Sequence, residues 1–157
     1  INAIGLGMTT YSTPGITKVT GTLSNLKDAS TNGQWITASS SNYGVTESSL
    51  NETTLSLLFG NTSGTVTTPE TAKISATTMT ALKAIALNPQ FGTRASVSYE
   101  QVASSDLVAS DVLAIAAVTS GEISAPNASK MVATNTSQFE EAKAKLTLVG
   151  GQLMDQA

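Results

Sequence analysis

Apolar positions occur in short alternating runs in the first half of the chain and at helical spacings in the second. In the first half, four short runs sit between the turn signals Pro14-Gly15, Asn32-Gly33, Tyr43-Gly44 and Asn61-Thr-Ser-Gly64: Ile16–Leu23, Gln34–Ala38, Thr53–Phe59 and Thr65–Thr67. That pattern predicts short strands joined by turns. Within the third run, Thr53, Leu55, Leu57 and Phe59 fall on one face and Thr54, Ser56 and Leu58 on the other, near the period of two expected of a half-buried strand.

From Thr68 the spacing changes. Thr68-Pro69-Glu70 offers a capping hydroxyl, a proline at the first helical position and an acid in the first turn. Ala72, Ala76, Met79, Leu82 and Ala86 then recur every three or four residues, which predicts a helix of about 18 residues ending at Asn88-Pro89. Ser98-Tyr-Glu-Gln101 reads as a capping box for a second helix running to Val118, although the apolar run after Asp106 also suits a buried strand. Ser137-Gln-Phe-Glu140 is a further capping box, followed by Phe139, Ala142, Leu146, Val149 and Leu153 on one helical face. No internal repeat of fixed period stands out. The expectation is a single α+β domain over residues 1–157, with a β-rich N-terminal half of short antiparallel strands followed by two or three helices packed on the sheet.

Composition narrows the chemistry. Charged residues make up 12% of the chain, while 20 Ser and 24 Thr supply small neutral hydroxyls in their place. There is no His and no Cys, so histidine triads, thiol nucleophiles, cysteine-held clusters and disulfides are excluded. The net charge is −3, with Arg94 the single arginine, which argues against nucleic-acid wrapping. No apolar run reaches the roughly 20 residues that cross a bilayer. The first residue is Ile rather than Met, which suggests removal of a signal or pro-segment.

The remaining titratable groups form no convincing site. Asp106 and Asp111 are five apart, poorly placed on a helix to share a metal or a proton, and are expected to be solvated. Glu47, Glu52, Glu70, Glu100 and Glu122 could pair in a glycosidase only if the fold brought them together. Ser24 with Lys27, and Thr80 with Lys83, have the spacing of a hydroxyl–lysine dyad without its context. No catalytic, metal or cofactor residue is assigned, and the chain is expected not to be an enzyme. Four Asn-x-Ser/Thr sequons, at Asn51, Asn61, Asn127 and Asn135, are candidate N-glycosylation sites in an exported protein.

The residues left for a function are apolar. Ile4, Leu6 and Met8 fall on one face of residues 1–11, an extension able to add itself as a strand to a neighbouring subunit. Trp35 and Phe139 are candidate anchors of subunit contact. In its general character the chain resembles subunits of extracellular filaments and of virion surfaces or tails. That resemblance implies a self-assembling structural subunit of a pilus-like filament or surface layer, extracellular or at the cell surface, whose partners are copies of itself. The alternatives are a virion coat, decoration or tail protein trimmed by a maturation protease, and an adhesive module binding a glycan or host receptor through Trp35.

Overall fold

The computed structural model describes residues 11–12, 18–31, 35–36, 41–148 and 154–157. Strands and helices alternate along the chain: β1 (Tyr11–Ser12), β2 (Lys18–Gly21), α1 (Leu23–Thr31), β3 (Trp35–Ile36), β4 (Asn42–Val45), β5 (Ser49–Asn51), α2 (Glu52–Asn61), β6 (Val66–Thr67), β7 (Lys73–Ala76), α3 (Met79–Ala86), β8 (Ser98–Gln101), β9 (Leu107–Val108), α4 (Ala109–Ala116), β10 (Ile123–Ser124), β11 (Lys130–Val132), α5 (Thr136–Lys143) and β12 (Asp155–Gln156).

Every described strand pair is parallel. Among the described residues, ten strands form three sheets, ordered β2-β4-β6, β5-β7-β8-β10 and β9-β11-β12, and β1 with β3 forms a two-stranded ladder. The register explains the architecture. Val19 lies beside Tyr43 and Tyr43 beside Val66; Ser49, Lys73 and Ser98 follow one another across a second sheet, and Leu107 lies beside Met131 in the third. The step in sequence is nearly the same in each of these pairs, so the polypeptide winds as a coil and each turn lies on the last. Parallel neighbours need a crossover between them, and here a short helix is part of each one.

The core follows from this winding. One inward residue per strand recurs in each column: Val19, Tyr43, Val66 and Phe91 in the first, Leu50, Ile74, Tyr99 and Ile123 in the second, Leu107 and Met131 in the third, all buried. Phe91 joins the first column through an isolated bridge to Val66, and its ring sits 5.9 Å from that of Phe59. The helices contribute residues three apart: Leu23, Leu26 and Ala29; Leu55 and Leu58; Met79, Leu82 and Ile85; Ala109, Val112 and Ile115; Phe139 and Ala142. At eight to ten residues they are too short to persist alone and depend on packing and capping. Asn51, Thr78 and Asn135 cap α2, α3 and α5 with their side-chain oxygens. At the start of α1, the Glu47 carboxylate accepts from the Leu23 N–H at 2.6 Å, reaching back from the following coil.

This arrangement overturns the expected α+β fold. Among the described residues the strands are parallel rather than antiparallel, and five helices are interleaved with them instead of gathering in the second half. Thr53–Phe59 is helix, because the Asn51 cap starts α2 immediately before it; Leu55, Leu58 and Phe59 face inward and Leu57 is 45% exposed. Thr68-Pro69-Glu70 opens a turn closed by Ala72 N–H to the Pro69 carbonyl, and β7 intervenes before α3 begins. Residues 98–118 divide into two strands and a helix. The last described helix is capped by Asn135 rather than Ser137 and stops at Lys143; Val149 and Leu153, expected on its face, lie outside the described residues. A repeat is also present, carried by strand register rather than by residue identity.

Candidate functional site

Short strands leave many backbone groups in the bends between them, and each needs a partner. Hydroxyls and amides supply these partners from the adjacent coil. Thr62 Oγ1 donates to the Ser41 carbonyl at 2.6 Å, Thr119 Oγ1 to the Val97 carbonyl at 2.8 Å, and Thr68 and Thr93 share a hydrogen bond of 2.8 Å between their hydroxyls. Gln101, fully buried, accepts from the Met79 N–H at 2.6 Å and donates to the Ser105 carbonyl at 2.7 Å, so one amide both caps α3 and pins the loop after β8. Among the described residues no buried side-chain polar atom lacks a partner.

Two charged clusters also cross between coils. On the outward face of the β5-β7-β8-β10 sheet, Lys73 pairs with Glu100, and Ser124 Oγ donates to the same carboxylate at 3.4 Å. Between α3 and α4, Asp111 receives the Thr80 hydroxyl at 2.6 Å and the Lys83 ammonium. Thr80 and Lys83, spaced like a catalytic dyad in the sequence, are thus both committed to one carboxylate. Asp111 is buried, not solvated, whereas Asp106 is exposed. The sequence signal for this contact was weak, since a lone Asp on an apolar helix names no partner.

The other acids are dispersed. Glu47 caps α1, Glu52 accepts from Ser56 in the first turn of α2, Glu70 and Glu122 are exposed, and Glu100 holds Lys73. Among the described residues no three acidic side chains gather to hold a metal, and no helix is long and apolar enough to cross a membrane. The buried Tyr99 hydroxyl donates to the Arg94 carbonyl at 3.4 Å. Burial raises its pKa well above the ordinary tyrosine range, and the nearby Arg94 charge opposes the shift.

Ile4, Leu6 and Met8 lie outside the described residues. Trp35 is on β3, beside Tyr11. Phe139 points into the core, 5% exposed, with the Lys143 ammonium 5.4 Å above its ring; this is the place of a core residue within a single subunit. All four sequon asparagines are exposed, and each has a structural task. Asn51 and Asn135 cap helices through their oxygens, while the amide nitrogens of Asn61 and Asn127 donate to Ser30 Oγ at 3.0 Å and the Val102 carbonyl at 2.7 Å.

No family model, curated protein or solved structure matches the chain.

Proposed function

We propose that this chain is a non-enzymatic structural subunit that self-assembles, with copies of itself as its partners, in a filament or surface layer outside the cell. The observation that carries the reading is the parallel stacking of strands at a nearly constant step in sequence, Leu50 on Ile74 and Ile74 on Tyr99 in one sheet, Val19 on Tyr43 and Leu107 on Met131 in the others. A stack of this kind is quasi-one-dimensional: each coil contacts only its neighbours, and the molecule grows by adding equivalent layers. The polar groups described above act as ties between layers, a structural use of side chains. An outward surface rich in hydroxyls and poor in charge suits an extracellular setting. Light scattering and electron microscopy of the purified chain over a range of concentrations test the proposal. Mass that grows with concentration, and elongated assemblies, are expected. A monodisperse monomer at millimolar concentration would contradict it.

A further inference from the structure

Among the described residues, β12 pairs on one side with β11, and β2 on one side with β4, so each strand has one edge with no described partner. We infer that these two edges bind each other between copies, β12 of one subunit pairing in parallel with β2 of the next, with Asp155 opposite the next copy's Lys18. The inference rests on the self-assembly reading and specifies its interface.

Three features converge on this register. The first is backbone direction. The N–H groups of Asp155 and Ala157 are spent on the Ser129 and Met131 carbonyls of the preceding coil, so in an extended strand the N–H and C=O of Gln156 face the open side. On β2, the Gly21 carbonyl accepts from Thr46 N–H, which turns the backbone groups of Gly21 and Val19 toward β4 and those of Lys18 and Thr20 toward the open edge; the Lys18 side chain rests over Gly44 of β4 and reaches the junction by rotating about its flexible stem. Gln156 can therefore take the Thr20 N–H and give its own to the Lys18 carbonyl.

The second feature is side-chain parity. Asp155 lies beside Lys130 and Gln156 beside the buried Met131; Lys18 is exposed and Val19 buried. Gln156 is itself exposed but shares the column of the buried Met131, so seating Lys18 opposite Asp155 sets the buried Val19 over Gln156 in that column, whereas a slip of one residue would set Val19 in the outward column of Lys130. The third feature is charge. A slip of two residues preserves parity but separates Asp155 from Lys18, so the opposite charges select one register. They also repeat across the junction the Lys130–Asp155 juxtaposition found within the chain. The contact joins unlike surfaces and so propagates as a filament rather than closing as a dimer.

Charge reversal tests it. Asp155 and Lys18 are exposed, and circular dichroism should show that Asp155→Lys and Lys18→Glu fold normally. In sedimentation velocity each variant alone is expected to associate at least about tenfold more weakly, because like charges then face each other. A 1:1 mixture should recover the original association, since every junction again pairs opposite charges. Self-association that persists unchanged in both variants, or is not recovered by mixing, would overturn this interface while leaving self-assembly standing. An original chain that stays monomeric at every concentration would overturn both.

Discussion

Lys83 on α3 reaches across to the next coil and pairs with Asp111 on α4, whose side chain is 4% exposed while that of Lys83 is 34% exposed. The asymmetry has consequences. Removing the lysine strands a carboxylate that water cannot reach, leaving the Thr80 hydroxyl as its remaining hydrogen-bond partner; removing the carboxylate leaves an ammonium that solvent can still reach. Lys83→Met is therefore expected to lower stability by about 2–4 kcal/mol and Asp111→Asn by about 1 kcal/mol. Denaturant midpoints of the two variants should fall in that order.

Two glycines separate backbone approach from simple flexibility. A Cβ on Gly121 would lie 2.2 Å from the Val97 carbonyl oxygen of the preceding coil, whereas a Cβ on Gly60 in α2 would meet nothing within 4 Å. Gly121→Ala is expected to cost about 3 kcal/mol, at the upper end of overpacking. Gly60→Ala should add about 0.5 kcal/mol by helix propensity. Thermal melts of the two variants should shift in opposite directions.

Tyr99 gives the fold an alkaline signature. Because burial raises its pKa in the folded chain, the folded state keeps the phenolic proton at pH values where the unfolded chain, near pH 10, has lost it. The resulting stability is complete below about pH 10 and is lost as pH rises further, at up to about 1.4 kcal/mol per pH unit. The difference in unfolding free energy between the original chain and Tyr99→Phe should be flat below about pH 9 and shrink above about pH 10.

A wound coil can lose a whole turn but not half of one. Because Lys73 and Ser98 occupy the same register position, deleting residues 73–97 joins Ala72 to Ser98 and lets β8 take the place of β7 beside β5. Such a chain should unfold cooperatively with reduced stability. Deleting residues 73–84 breaks the register and should leave no cooperative transition by circular dichroism.

Parts of this fold were legible in the sequence. The runs Ile16–Leu23, Gln34–Ala38 and Thr65–Thr67 do contain β2, β3 and β6, and Phe139 and Ala142 do share the buried face of α5. The winding was hidden because its period rests on one or two inward residues in most strands, and Val19, Tyr43, Val66 and Phe91 have little in common beyond being apolar and buried. The helices start at Leu23, Glu52, Met79, Ala109 and Thr136, an uneven spacing longer than the strand period, which blurs any repeat. Spacing also misled locally. Ala72 and Ala76 belong to β7 and its approach, whereas Met79, Leu82 and Ala86 belong to α3; their joint rhythm of threes and fours arises across a strand–helix junction. The hydroxyl excess was visible as composition, but its use as ties between coils depends on contacts distant in sequence, as between Thr62 and Ser41 or Thr68 and Thr93.

The parallel winding itself is tested most directly by backbone nuclear Overhauser contacts in the labelled protein. A parallel series is expected, linking Leu50 to Ile74, Ile74 to Tyr99 and Tyr99 to Ile123, each pair one coil apart. Close Hα–Hα contacts between consecutive strands such as β6 and β7, the mark of an antiparallel hairpin, would contradict it.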